Sequence, residues 1–437
     1  MNNSLIRALT TASLGIIIGA TAIFVGQVQA QEKQYLPALV YRTGPYASGG
    51  LADGFADYVT LINERDGGIN GVKIELDECE TAYSTERGIE CYERLLDRGI
   101  TAIAPHATGI AYALIPRARQ DNVTIFTMGY GRSDASYGPV LDWVFNIPIT
   151  YWSSATIAMR YIAEQEGGSD NLKGKTIVHA YHDSAYGREP LAVLRGYAED
   201  YGFTLEEMPI APPGVEQQSV WLQIRRMQPD WVSLYGWGVM TPTALRAAAS
   251  MGIDREHIVG SHWTALEESV KSAGDDAIGF KALSFTGLGK DFKVYDDLQK
   301  YVYDKGLEAG DGTHIGSVVY NRYLVEAAYI IEAWRQGQAN FGERVLNGEE
   351  TKWAWKNLSI SEERTRELGL EGLMPPVNLT CMNHEGKGSS LVQQWDGEKW
   401  VQITDFMEAD MERVMPLYRM SALKYAESEN VPVKECD

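Results

Sequence analysis

The sequence predicts an α/β protein made of two doubly wound, parallel-type sheets in series. Three observations predict it. From Tyr35 onward, short apolar runs alternate with stretches of helical periodicity. The alternation breaks near Pro148 and restarts with the same rhythm. The composition is that of an ordinary globular chain, with 437 residues, 45% of them hydrophobic and 22% charged. Length over ~150 leaves room for at most about three domains. Strands alternating with helices over short connections favour parallel strands with crossover helices.

The first thirty residues stand apart. Arg7 is the only charge between Met1 and Ala30, and an apolar run from Leu14 to Val25 follows it. The run ends at Val28-Gln29-Ala30, and Gln31-Glu32-Lys33 begins a polar chain. This is the pattern of a secretory signal peptide cleaved after Ala30. The sequence thus predicts a periplasmic protein. No later stretch approaches the ~18 apolar residues that a spanning helix needs.

The first unit begins with a strand at 35–41, closed by Thr43-Gly44-Pro45. A helix starts at about Gly50, because Leu51, Phe55, Tyr58, Val59 and Ile62 recur at helical spacing. Asp66-Gly67-Gly68 stops it. Strands at 72–77, 101–105 and 123–128 alternate with helices at 85–98 and 110–120. The second unit opens on the apolar run 143–147, then Pro148. Helices at 152–166, 191–201, 217–227 and 242–251 alternate with strands at 176–181, 203–208, 231–235 and 257–261. Each unit is about 120 residues, within the usual domain range. After 282–285 the pattern turns helical, notably over 317–335. Asp396-Gly397 between 391–394 and 399–403 is a hairpin signal. The tail from about 405 to 425 reads as helix.

Several functions are excluded. A net charge of −20 repels phosphate backbones, so nucleic acid is not a partner. No Gly-x-Ser-x-Gly elbow and no Gly-x-Gly-x-x-Gly fingerprint is present. Gly174-Lys175-Thr176 precedes a strand, whereas a phosphate loop follows one. His179 and His182, three apart on a strand, face opposite sides. No Cys/His spacing fits zinc. The sequence therefore predicts no catalysis, no cofactor and no metal. The four cysteines, in an exported chain, suggest disulfides with three possible connectivities. Proximity favours Cys79 with Cys91, across a strand and the next helix. Cys381, opening the hairpin, then pairs with Cys436 and anchors the tail.

The informative residues lie in loops at the carboxyl ends of strands, where open α/β sheets bind ligands. The first unit offers Tyr46 to Gly50, His106 to Gly109 and Gly129 to Arg132. The second offers His182 to Gly187, Gly236-Trp237-Gly238 and Ser261-His262-Trp263. Helix N-termini with free amides attract carboxylates. Aromatic walls bury apolar or cationic groups.

Thr43-Gly44-Pro45 with Ala47 and Gly50, then Asn63 with Gly67-Gly68-Ile69 and Gly71, then His182-Asp183 with Tyr186-Gly187, stand in a telling order. Over roughly 35–400 the chain resembles type I periplasmic binding proteins, in particular the leucine/isoleucine/valine-binding group of ATP-driven importers. The resemblance implies two Rossmann-like lobes joined by three crossovers, near Pro148, 280–285 and 374–377, that close on a small ligand. The implied first lobe is 31–148 with about 284–345. The implied second lobe is 149–283 with about 376–403, and 404–437 forms a C-terminal helix and tail. The implied partners are a small-molecule ligand and a membrane permease, the protein acting as a monomer. A sensory module presenting ligand to a receptor or kinase is the alternative. Cys79 matches a family cysteine, with Cys91 in place of the usual partner.

The resemblance places the loop His106 to Gly109, with Thr108 as its hydroxyl, and Tyr130, Tyr186 and Trp237 at the cleft. Together with the loop chemistry it predicts a charged end met by Ser48, Gly49 and Thr108 and an apolar or aromatic body among Tyr130, Tyr186, Trp237 and Trp263. The family's carboxylate for an amino group is replaced here by Ser261-His262-Trp263, with no acid until Glu267. That departure disfavours an α-amino acid. His262 is expected to face the ligand and to titrate near periplasmic pH.

Overall fold

Strand β1 (Gln34–Val40) is buried along nearly its whole length. In a computed structural model, which describes residues 33–436, it pairs in parallel with β2 (Ile74–Glu80). The proposed leader and its cleavage point lie outside the described residues. Strands β3 (Ala102–Ile103), β4 (Thr124–Thr127) and β5 (Val144–Asn146) form a second parallel set. A bridge between Ala38 and Ala104 joins the sets, giving the order β2-β1-β3-β4-β5. The apolar run 143–147 therefore completes the first lobe instead of opening the second. Pro148, which cannot donate to a ladder, lies just beyond it.

The second lobe is one larger sheet. Strands β6 (Thr176–His182), β7 (Thr204–Ile210), β8 (Trp231–Tyr235), β9 (Ile258–Gly260) and β10 (Lys281–Ser284) run parallel. β8 is buried throughout, as a strand covered on both faces requires. The chain then returns to the first lobe, where β11 (Ser359–Ile360) and β12 (Val377–Asn378) make a small antiparallel ladder. It finally adds β13 (Ser389–Trp395), β14 (Trp400–Gln402) and β15 (Met407–Glu408), all antiparallel, to the second sheet. The expected hairpin across Asp396-Gly397 is β13–β14. Cys381 precedes it by several residues, in the loop after β12, rather than opening it.

The 24-residue helix Val318–Phe341 is the spine of the first lobe. The Ser317 side chain caps it by accepting from the Tyr320 amide. It is buried nearly all round, as its apolar sequence requires. Short helices at Val294–Tyr301, Gly348–Lys356 and Glu362–Glu367 went unread in the sequence. The C-terminal helix spans Met411–Glu429 rather than starting near 405, because Met407–Glu408 joins β13 and Asp410 supplies the cap.

Both disulfides form. Cys79–Cys91 and Cys381–Cys436 have Cα separations of 5.9 and 5.6 Å, well inside the permitted span. The second bond closes a separation of 55 residues, for which chain entropy gives about 4 kcal/mol. The double substitution of Cys381 and Cys436 by Ser is expected to lower unfolding free energy by about that amount in urea titrations. An unchanged midpoint would mean that the helix alone anchors the tail.

The third crossover lies later than 374–377. The Tyr329 hydroxyl donates to the Pro375 carbonyl at 2.7 Å, and His384 Nδ1 lies 2.8 Å from the Val144 carbonyl, so this segment is still held by the first lobe. The chain crosses at Glu385. That fully buried carboxylate accepts from the Thr150 amide and the Tyr418 hydroxyl, each at 2.7 Å. It thereby ties the first crossover, the third crossover and the C-terminal helix together. Burial pushes its carboxyl up to about 7. Glu189, which accepts from Ser133 across the lobe junction, is likewise pushed to about 7. A carboxyl raised on folding gives stability that is full below its unfolded value and lost as pH rises through the folded one. Glu385→Gln should therefore gain on the wild type as pH rises from 5 to 7, by about 1.4 kcal/mol for each pH unit crossed. Parallel stability curves for the two proteins would exclude this role.

Candidate functional site

The carboxyl ends of the two sheets face each other across a cleft. On the first lobe, β3 runs into His106, a non-glycine residue at φ 50. Such a left-handed position costs about 1–2 kcal/mol and persists only where surroundings enforce it. The turn directs the His106 amide onto the Tyr130 hydroxyl at 3.0 Å. The imidazole Nε2 lies 3.0 Å from Glu326 Oε2, out of line for a hydrogen bond, and Nδ1 has no partner. Thr108 opens the helix Thr108–Asp121. Its hydroxyl accepts from the Gly131 amide at 3.3 Å and pairs with the Tyr151 hydroxyl at 3.1 Å.

On the second lobe, β6 ends at a tight turn that carries Tyr186. The Tyr186 hydroxyl pairs with Ser261 Oγ at 2.7 Å and lies 3.1 Å from the Gly236 carbonyl. β8 ends at Trp237, whose ring meets Tyr41 and Trp263 edge-on, with centroids 6.1 and 5.6 Å apart. The buried Trp237 indole N–H has no acceptor. Gly238, at φ 55, lets this turn approach Pro45 and Tyr46 of the other lobe; a Cβ would sit 2.9 Å from the Pro45 carbonyl. The Trp263 indole N–H donates to the Gly129 carbonyl at 2.8 Å, also across the cleft.

These side chains enclose a cavity of about 10 Å³, room for about one water. Of the residues expected from sequence, His106, Thr108, Tyr130, Tyr186, Trp237 and Trp263 line it. Tyr41, Tyr83, Ala107 and Tyr151 complete the wall. Tyr41 directly follows β1 and Tyr83 lies in the loop just past β2, so the carboxyl-end rule could have found them.

Ser48, Gly49 and His262 do not line it. Ser48 Oγ and the Gly49 amide donate to Glu268 Oε2 at 3.3 and 3.1 Å. The anion they meet is the second lobe's own carboxylate, and they act as a latch at the rim. A second rim contact joins the Tyr46 hydroxyl to His182 Nε2 at 2.8 Å. His262 is fully buried behind the wall, stacked on Tyr151, with Nε2 2.6 Å from the Gly129 carbonyl. Burial, and then the Arg322 charge, push its pKa down to about 3. It stays neutral at ordinary pH, so the expected charge switch is lost.

Two further ionic side chains stand beside the cavity, both on the helix Val318–Phe341. Glu326 Oε1 lies 3.4 Å from the Tyr130 hydroxyl. Arg322 is fully buried, with its guanidinium over the Trp263 and Phe285 rings at 5.3 and 5.1 Å. Charged residues one turn apart inside an apolar helix were the legible signal, and it was missed. Among the described residues, no group of three or more His, Cys, Asp or Glu could hold a metal, and no helix is long and apolar enough to cross a membrane.

A family model described as periplasmic binding protein matches residues 33–400. The chain belongs to the periplasmic binding protein family. A solved structure from the Pseudomonas fluorescens group, titled an ABC transporter permease, is 42% identical with a TM-score of 0.87, covering 93% of this chain and 100% of that one. A branched-chain amino acid ABC transporter protein from Thermus thermophilus, with bound valine, shares the fold at 20% identity and TM-score 0.72, covering 90% and 99%. A solute-binding protein from R. palustris, in complex with benzoate, does so at 16% and 0.63, covering 85% and 95%. No curated protein matches. This periplasmic binding protein therefore has the type I fold of the leucine/isoleucine/valine-binding type, and hydrogen bonds across the cleft hold its lobes closed on each other.

Proposed function

We propose that this protein is the extracytoplasmic substrate-binding subunit of an ABC importer. It captures a small organic solute between its lobes and delivers it to a membrane permease. The observation that carries this reading is the aromatic-walled cavity at the facing carboxyl ends, sealed by hydrogen bonds from both lobes. Family membership and the similarity to ABC transporter proteins support it. Closure is stabilised only by contacts that the open form lacks, so a solute held by both walls shifts the equilibrium. The hinge in this reading comprises the crossovers at Pro148, Phe285 and Glu385. An aromatic or branched apolar body suits Trp237, Tyr186 and Tyr151, each of which presents ring surface to the cavity.

A thermal-shift screen of amino acids, aromatic acids, amides and quaternary amines tests it. A ligand present at a hundred times its dissociation constant adds about 2.7 kcal/mol to stability. The expected result is a raised melting temperature with one class of compact solute. No shift with any class, together with turnover of esters or amides, would replace the reading with a hydrolase.

A further inference from the structure

We propose that Arg322 is the anion anchor of the cleft, and that the solute is a compact apolar or aromatic monocarboxylate with no cationic group. This rests on the solute-binding reading above and names its substrate class. All three guanidinium nitrogens of Arg322 are buried without a hydrogen-bond partner. A buried cation without its anion is costly, and a carboxylate matches the guanidinium fork with two parallel hydrogen bonds.

The chain's own acids do not pair with it. Glu267 accepts from the Val318 amide at 2.9 Å, capping the same helix. Glu326, one turn along from Arg322, lies against His106 and the Tyr130 hydroxyl. Neither forms an ion pair with the guanidinium. Desolvation lowers the Arg322 pKa to about 9, so the side chain still carries its charge at neutral pH.

Position supplies the mechanism. Arg322 belongs to the spine of the first lobe, whereas Trp263, which lies against the guanidinium and lines the cavity, belongs to the second. Separating the lobes withdraws Trp263 and bares the guanidinium to the cleft. An incoming carboxylate pairs with it, and the lobes close with the aromatic wall around the body. The anion thus compensates a charge that the closed protein leaves unpaired. An amino group on the solute would bring a second cation beside the buried Arg322 charge.

Matched pairs decide the proposal: benzoate with benzamide, and isovalerate with isovaleramide, titrated calorimetrically into the full mature protein and into Arg322→Gln and Arg322→Lys. The wild type is expected to bind one of the carboxylates at least a hundredfold tighter than its amide. Arg322→Gln should lose that preference, while its affinity for the amide changes less than threefold. Arg322→Lys should keep the preference at reduced affinity, and it decides the matter if the Gln variant does not fold. Because Arg322 has no hydrogen-bond or ion-pair partner to lose and its charge is buried, the unliganded Gln variant should melt no lower than the wild type; a purely structural arginine would show a clear drop. Carboxylate binding by Arg322→Gln at wild-type strength, or tighter binding of amides by the wild type, overturns the proposal. Binding only of amines or amides in the aromatic cleft overturns it while the importer reading stands. No binding of any solute class overturns both.

Discussion

Trp237→Ala is expected to weaken binding of the cognate solute by about a hundredfold, a loss typical of a buried aromatic anchor. The unliganded protein should keep its stability to within about 1 kcal/mol. The ring contacts of Trp237 are with Tyr41 and Trp263, which are walls of the cleft, and its indole N–H has no partner to lose. Removing it opens the cavity without emptying the interior of either sheet. Calorimetric titration of the solute, paired with urea unfolding of the free protein, measures both quantities. A stability loss of about 3–5 kcal/mol with affinity retained would make Trp237 a core residue and defeat the aromatic-cleft description.

Trp355→Ala is expected to do the reverse. Trp355 is fully buried and stacks on Phe126 and Phe145, with centroids 4.8 and 5.6 Å away and nearly parallel planes. It covers β4 and β5 through Phe126 and Phe145. Truncation should cost about 3–5 kcal/mol, because the rigid sheet cannot collapse into the void. Solute affinity per folded molecule should not change. A loss under about 1 kcal/mol in urea unfolding would show that the helix Gly348–Lys356 moves in to fill the gap.

The alternation of strands and helices was legible because parallel strands buried on both faces are apolar runs, and their crossover helices are amphipathic. Trp231–Tyr235 and Leu191–Tyr201 were readable to the residue for that reason. The first-lobe helices at Val294–Tyr301 and Gly348–Lys356 were not, because eight or nine residues give too few turns for a period to show. At the site, the carboxyl-end rule located Thr108, Tyr186 and Trp237, whose place follows from chain direction alone. It did not show that Ser48 and Gly49 sit at the rim against Glu268, some 220 residues away. No local pattern records that contact. His262 was misread for a related cause. Residue type suggested titration, but burial against Gly129 decides its charge. Arg322 lies outside every carboxyl-end loop, and its one local signal was a charge inside a largely apolar helix.

The double return of the chain has a consequence for biogenesis. Gln34 at the start of β1 is met by the Leu346 amide, and Thr101 by the Thr351 hydroxyl. In the second lobe, β10 has β9 on one side and must wait for β13 on the other. The last bond, from Cys436 to Cys381, closes only after the C-terminal helix has been made. A chain that crosses a membrane amino terminus first therefore cannot complete the first lobe before 351 or the second before 395 has emerged. Until 389 follows 284, β10 is an open edge, available to any neighbouring strand. At synthesis rates of about 5–20 residues per second that interval is roughly 5–20 s. Over that time an emerging molecule has most need of a holding chaperone, and slowing its passage there should raise misassembly more than slowing it anywhere within the first 280 residues.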